Sequence, residues 1–584
     1  MPYTVGIDLG TTNSLCAVFR DDKPELIPNS HGSFLTPSVV GVIGSGEIVV
    51  GAAAKELRVT QPGATAWCFK RFMGMDKQLQ LGKKRYTAQE LSSLVLKSLI
   101  GDAENFLGEP VTDAVITVPA YFNDHQRQAT KLAGELANIN VRRIINEPTA
   151  AALVYGFHER DAEKNLCIVD LGGGTFDVTV MEVFEGTLEI RSTAGESHLG
   201  GEDFTDRLVS AVLANQKLQL EVAELKYPNL VARLRSECEQ AKRKLASQEK
   251  VKIRLPEESG VFDENAKEFS LTRPTFEKLC TKLMDRVRQP VDKSLRDASL
   301  DPNDINDIIM VGGATRMPVM VDCVTDYFNR PPQMEFNPDE VVALGAAIQA
   351  ALIEQNAAVD DIVMTDVCPF TLGVEVVKNF GGQIQDGFFQ PVIHRNSTIP
   401  ISREEVFSTV SPNQEEVEVR VFQGDARKVA DNIELGKLQV KKLPAGPAGM
   451  PIHIRFTYDL NGILEVEAYT PGGSKHSAVL TNHVQGLNQD QIRAAVSRLQ
   501  ELKFYPRENL ENQRLARFCE RVIGELHPSQ REQLDMALDM YETALNRASN
   551  QEEFDRARAA LLMTLSSMGI DYDQQQDGEQ LDGR

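Results

Sequence analysis

Along the first part of the chain, to about residue 356, apolar runs alternate with amphipathic stretches. Ala114-Val115-Ile116-Thr117-Val118 and Ile308-Ile309-Met310-Val311 read as buried central strands, and Val319 to Phe328 reads as a helix with one apolar stripe. That alternation predicts an α/β architecture. Residues 357–366 then place a short apolar patch between acids, a linker or a strand that docks elsewhere. From 367 to about 485 the period drops to two: Val417, Val419 and Val421 alternate with Glu416, Glu418 and Arg420, and Ile452, Ile454, Phe456 and Tyr458 alternate with His453, Arg455 and Thr457. Asn461-Gly462 supplies a hairpin turn, and strands with no helix between them predict an antiparallel β-sandwich. From 487 the period becomes 3.6. Asn488 caps a stripe of Ile492, Val496, Leu499 and Leu502, and Leu515, Phe518, Val522 and Leu526 form the next, closed by Pro528. Ser529 with Glu532 opens a helix bearing Leu534, Leu538, Tyr541 and Leu545, and Asn550 with Glu553 opens the last, which runs to Met568 and Gly569. The polar stretch Asp571 to Arg584 predicts disorder.

Composition narrows the function classes. The 584 residues are 42% hydrophobic and 25% charged, as in ordinary globular protein. A net charge of −22 argues against a general phosphate-contact surface for nucleic acid and against anionic membranes. No run approaches the ~18 apolar residues of a membrane-spanning helix, and Met1 to Asp8 carries neither the basic nor the apolar region of a secretory signal. The eight cysteines are scattered, without a C-x-x-C pair, and read as buried free thiols of a reducing cytoplasm.

The candidate chemistry lies in three glycine-rich turns. Asp8-Leu9-Gly10-Thr11-Thr12-Asn13-Ser14 and Asp170-Leu171-Gly172-Gly173-Gly174-Thr175-Phe176-Asp177 each join two strands, 162 residues apart, an internal repeat that predicts two related lobes facing a cleft. Glycines let backbone N–H groups approach phosphate oxygens, and the hydroxyls of Thr11, Thr12 and Thr175 add donors. Asp8, Asp170 and Asp177 make sense beside phosphate if Mg²⁺ and its waters lie between. Neither loop leads into a helix, which disfavours Walker-A and dinucleotide folds. Glycine-requiring hairpins would explain either loop alone, but not Asp at matching places in both. The third turn, Val311-Gly312-Gly313-Ala314-Thr315-Arg316-Met317-Pro318, allows a flat ring to approach and places Arg316 to stack on it.

Six collinear segments (Ile7–Ser14, Val118–Gly134, Ile144–Ala152, Asp170–Asp177, His198–Phe204 and Val311–Pro318) resemble the heat-shock protein 70 family, the DnaK-type chaperones. The resemblance implies an actin-like (ribonuclease-H-like) two-lobed ATPase domain over 1–356, a linker over 357–366, a β-sandwich for peptides over 367–485, a helical lid over 486–570 and a disordered tail over 571–584. It implies ATP or ADP with Mg²⁺, and leaves K⁺ open as a second ion. Lys70, Glu147, Asp170, Thr175 and Asp177 would be catalytic, with Asp8, Asp170 and Asp177 holding Mg²⁺ through water. Gly10, Thr11, Thr12, Asn13, Gly172 to Thr175, Gly200, Gly201 and Glu202 would surround the phosphates. Glu239, Lys242, Arg243, Gly312, Gly313, Arg316 and Asp339 would hold adenosine. Val374, Val377, Phe407, Val410, Val417 and Val419 would line a groove for extended apolar segments of unfolded clients, although alternation alone makes Val417 plain core. Arg143, Asn146 and Asp366 would meet a J-domain cochaperone, and a nucleotide-exchange factor is a further partner. ATP binding would dock the linker and open the groove, and hydrolysis would close it.

Some features depart from the family pattern. Lys70 and Pro119 are only 49 residues apart, so a peripheral part of the first lobe is trimmed. Ala246 replaces a serine beside adenosine, Thr365 interrupts the apolar linker, and Lys378 to Val392 is long and carries Phe380, Phe388 and Phe389. The lid is short and the acidic EEVD ending is missing. Together they point to the specialised HscC-like branch. A sugar or metabolite kinase of the same superfold would leave the sandwich and lid unexplained, and a scaffold without hydrolysis would leave Lys70, Asp8, Glu147 and Asp177 without a role.

Overall fold

A computed structural model describes residues 3–480, apart from 45, 159–162, 185–186, 265, 334–335, 360–361, 382, 461 and 471–474, together with part of 512–526, 528–547, 551–570 and 572. The expected helix of Ile492 to Leu502, both acid-linked caps of the later helices (Ser529–Glu532 and Asn550–Glu553), Asn461 of the hairpin turn and the tail from 571, Tyr572 apart, lie outside the described residues or side chains.

The chain forms two compact units, one of Met1–Phe370 and one built from Thr371–Thr481 and the helices that follow. In the first unit one sheet runs in the order Asn140–Asn146, Asp113–Val118, Thr4–Asp8, Asn13–Arg20, Lys23–Ile27. A second runs Asp307–Val311, Lys164–Leu171, Phe176–Phe184, Thr187–Glu196, Val363–Val367. The two repeat one plan: an antiparallel hairpin flanked by a parallel strand, with Asp8 opposite Leu15 in one and Asp170 opposite Asp177 in the other. Of the apolar runs read as central strands, Ala114–Val118 is an inner strand of the first sheet, whereas Ile308–Val311 ends the order of the second, yet both are buried. Helices Glu147–His158 and Val341–Ile353 cross so closely that a Cβ on Gly345 would lie 1.7 Å from the Ala150 carbonyl oxygen, so only glycine fits there. The stretch after Lys70 holds a small hairpin, Leu79–Leu81 with Lys84–Tyr86, and the helix Ala88–Leu107, started by a Thr87/Glu90 capping box.

The linker patch becomes a strand. Val363–Val367 pairs in parallel with Thr187–Glu189 at the edge of the second sheet. Met364 packs against the apolar cluster beneath, whereas Val363 is 55% exposed, so the two neighbours are not equivalent.

The second unit holds two four-stranded antiparallel sheets: Gln383–Ile393, Leu372–Phe380, Glu416–Gln423, Ile433–Lys441, and Ile401–Ser408, Pro451–Tyr458, Leu464–Tyr469, His476–Leu480. Val421, Phe456 and Val466 are fully buried, and the long segment after Lys378 forms the tip of the first hairpin. Alternation left His453, Arg455 and Thr457 facing solvent, yet all three are buried. Glu404 takes hydrogen bonds at 2.8 Å from His453 Nδ1, 2.6 Å from Arg455 and 2.7 Å from Tyr469, and Thr457 pairs with Ser402, so their polar ends are satisfied out of water. Helices Pro528–Arg547 and Gln551–Ser567 bury Leu534, Leu538 and Tyr541 with Phe554, Leu561 and Leu565. Pro528 is already the first helical residue, a position where its missing N–H costs nothing.

Candidate functional site

The two hairpin loops meet. A Cβ on Gly173 would fall 1.8 Å from Thr12 Oγ1, so glycine is what lets the loops close on each other. Around them opens a cavity of about 330 Å³. Asp8, Gly10, Thr11, Thr12 and Asn13 line it from one lobe, and Asp170, Gly172, Gly173, Thr175, Gly201 and Glu202 from the other, with Lys70 and Glu147 at the bottom. Gly174, Gly200 and Asp177 stand just behind. Asp177 is buried, accepting from Ala120 N at 3.1 Å and Tyr121 N at 3.3 Å.

Four carboxyl groups, Glu147, Asp170 and Asp177 buried and Asp8 half-buried, thus lie about the Lys70 ammonium. Lys70, 2% exposed, reaches Glu147 Oε1 at 2.6 Å. Asp8 takes one bond from Thr117 at 3.2 Å. Burial first, then the Glu147 charge, pushes Asp8 and Asp177 up to about 7 and Asp170 well above the carboxylate range. Asp170 Oδ2 and Thr12 Oγ1 are buried with no hydrogen-bond partner in the chain. Carboxyl groups crowded until they hold their protons, and orphaned polar atoms facing a glycine cradle, fit a cation with an anionic ligand. Among the described residues no three acidic, His or Cys side chains stand close enough to clasp a metal directly.

The far end is walled by helix Pro228–Lys244 and the third turn. Lys242 donates to Gly201 O at 2.7 Å and Thr205 Oγ1 at 2.9 Å and pairs with Glu239 at 2.6 Å. Burial alone would raise Glu239, but the Lys242 ammonium and the Arg243 guanidinium bring it down to about 2. Arg316 donates to Asp339 at 3.1 Å, beside Gly312 and Gly313. Ala246 lines the cavity, as do Met317 of the third turn and Leu15, Leu35 and Val342, which no sequence motif marked. Their apolar side chains are indistinguishable from core in a linear pattern, and only the fold turns them toward the cavity.

The expected partner-contact residues lie at the linker. Asp366 Oδ2 accepts from Asn146 Nδ2 at 2.9 Å and Thr149 Oγ1 at 3.3 Å, and Oδ1 accepts from Val367 N at 2.8 Å. Asn146 and Asp366 are therefore buried against each other, and Arg143 is half-buried nearby, its charge acting on Asp366. Of the expected groove residues, Val377 and Val410 are exposed, Phe407 and Val417 half-buried, and Val374 and Val419 buried. Val417 is therefore not the core residue that alternation alone predicted.

Residues 4–564 match the model of the Hsp70 protein family. The Chaperone protein DnaK of Thermosipho melanesiensis is 43% identical over 499 residues, 85% of this chain and 82% of that protein. The Thermosipho africanus protein of the same name is 44% identical over 499 residues, with the same coverage, and that of Thermotoga petrophila 42% over 500 residues, 85% and 83% of the two chains. A cleft of paired Asp-Gly loops, a β-sandwich, helices beyond it and a match over nearly the whole length agree: the chain belongs to the Hsp70 family.

Proposed function

We propose that the protein is an ATP-dependent chaperone that binds and releases extended apolar segments of unfolded proteins, its ATPase coupled to peptide affinity. The carrying observation is the crowding of carboxyl groups about Lys70, with Glu147, Asp170 and Asp177 buried and Asp8 half-buried, beside a glycine cradle with orphaned polar atoms. In this reading 1–356 is the ATPase domain, 357–366 the linker, 367–485 the peptide-binding sandwich, 486–570 the lid and 571–584 the tail. Mg²⁺, when bound, neutralises phosphate charge. Asp8, Asp170 and Asp177 would hold it through water, and Glu147 and Asp177 would orient the attacking water and take its proton. Lys70 would leave Glu147 for the phosphate being transferred, beside Thr175. The backbone of 10–13, 172–174 and 200–202 would cradle the phosphates, and Glu239, Lys242, Arg243, Gly312, Gly313, Arg316 and Asp339 would hold adenosine, Ala246 offering no hydroxyl. Val374, Val377, Phe407, Val410, Val417 and Val419 would form the groove, with the half-buried Val417 as its central pocket. Arg143, Asn146 and Asp366 would be read by a J-domain protein while the linker is docked. K⁺ in the cleft, a nucleotide-exchange factor, a cytoplasmic setting and the HscC-like branch complete the proposal, the last supported by the short first lobe and the long 378–392 hairpin. Among the described residues no helix is long and apolar enough to cross a membrane.

Phosphate release, with and without an extended apolar peptide and a J-domain, tests the reading. A chaperone hydrolyses ATP slowly and is stimulated by both. Hydrolysis indifferent to peptide and dependent on a small acceptor would make it a kinase, and no release at all a scaffold.

A further inference from the structure

The single turn Phe69–Phe72 that carries Lys70 also carries Arg71, for which the reading above has no use. Its guanidinium reaches across the cleft to Asp203 in a two-pronged pair, Nη1 lying 3.2 Å from Oδ1 and Nη2 closing on Oδ2. Asp203 belongs to the opposite lobe, in the first turn of helix Gly201–Asn215, where it also accepts from Gly200 N at 2.8 Å. That turn is stitched to the second glycine loop: Gly201 N donates to Gly172 O at 2.9 Å and Glu202 N to Gly173 O at 3.0 Å. Arg71 Nε is buried without a partner, 2.8 Å from where a Cβ on Gly174 would sit. One rigid fork therefore ties the Lys70 turn to the phosphate-facing loop of the other lobe. Close by, Trp67, the only tryptophan, has Arg58 of helix Ala52–Thr60 over its ring at 3.5 Å and Arg235 of helix Pro228–Lys244 at 5.1 Å, so it too spans the two lobes.

We propose that Arg71 and Asp203 form a closure clasp for hydrolysis, with Arg71 a positioning residue that sets Lys70 in its working place only when the lobes are shut. A bidentate Arg–carboxylate pair supplies direction as well as attraction, which a lysine could not. A shift of about 1 Å in a catalytic group costs about a hundredfold in rate. Breaking the fork should therefore slow hydrolysis far more than it weakens ATP binding, which the loops and the adenosine wall retain. The inference rests on the proposed role of Lys70.

The test uses the full chain with Mg²⁺ and saturating ATP. Asp203→Asn keeps an acceptor for Gly200 N but loses the charge, and Arg71→Gln loses the fork. Each should slow single-turnover hydrolysis at least about tenfold, with ATP affinity within about threefold of wild type. The double variant should be no slower than the slower single, because both remove one pair. Asp203→Glu should restore part of the rate, and the ATP-induced change in Trp67 emission should shrink in all variants without the pair. Rates within about twofold of wild type, losses that multiply in the double variant, or losses that merely follow an earlier melt would overturn the clasp. Lys70→Ala separates the layers. If it hydrolyses ATP as fast as wild type, the role of Lys70 falls and the clasp with it. If it is inactive while the clasp variants are not impaired, the clasp alone falls.

Discussion

Asp366→Asn should release the linker strand, and the structure sets the size of the effect. The carboxylate faces donors only: Asn146 Nδ2 and Thr149 Oγ1 on one oxygen and the Val367 amide on the other. An asparagine must turn its own NH₂ toward one of these sides, so one donor meets another in a buried place. Asn146 cannot flip to relieve it, because its Oδ1 accepts from Arg127 at 2.6 Å. A buried donor left without an acceptor costs about 1–3 kcal/mol. That shifts docking by roughly five- to 150-fold. Charge as such is not what holds the strand: burial raises Asp366 above its ordinary value, only partly opposed by Val367 N and by Arg127 and Arg143. A carboxyl raised on docking binds its proton more tightly when docked. Docking should therefore be strongest below the ordinary carboxylate value and weaken as the pH rises through the raised one. Hydrogen exchange of the amides of 363–367, which sit in the ladder to Thr187–Glu189, reads docking directly, and peptide stimulation of phosphate release reads its consequence. Unchanged protection in Asp366→Asn would refute the reasoning. Lost protection with peptide stimulation intact would show that the docked strand is a passive tether.

The pair of Asp-Leu-Gly loops was legible because the chain repeats it: two hairpins with Asp at one place and glycine after it carry more information than either does alone. The linker patch was legible as something that docks, since apolar residues between acids have no reason to stay in water. Other features depended on contacts that no local pattern records. Asn146 and Asp366 lie 220 residues apart, and each alone is an ordinary polar residue. Arg71 and Asp203 are 132 apart, and a lysine-arginine pair in a short turn reads as solvated charge until the second lobe closes over it. Strand alternation failed at His453 and Arg455 for a physical reason: Glu404 on the neighbouring strand can satisfy both at once, and a satisfied polar group is free to be buried. The same rule misplaced Val417, where an apolar residue on the inward face remains half-exposed because the strand runs out of the core before its end.

Other outcomes follow from the same geometry. Lys70→Ala should slow hydrolysis by about 10²–10³ with ATP affinity nearly intact; single-turnover rates within about threefold of wild type would remove Lys70 from the chemistry. Because Asp8 and Asp177 hold their protons up to about 7 without a cation, Mg²⁺-dependent ATP affinity should rise as the pH passes upward through that value, and a titration flat from acid to alkaline pH would refute the water-held cation. Met364→Asp should undock the linker while Val363→Asp should not, since only Met364 is packed, and equal loss of amide protection in both would contradict the pairing. Val417→Phe decides between core and pocket. In a closed core the added ring would overpack and cost about 1–3 kcal/mol. Val417 is half-buried, although Val440 opposite it and Val419 and Val421 further along the strand are fully buried, so the ring has room toward the open end. The melting temperature should therefore barely move, while affinity for an extended Leu-rich peptide falls at least about tenfold, ~1.4 kcal/mol. Basal hydrolysis should stay at the wild-type rate, because the cleft belongs to the other unit. A variant that melts early puts Val417 in the core, and one that binds the peptide as well as wild type puts the pocket elsewhere.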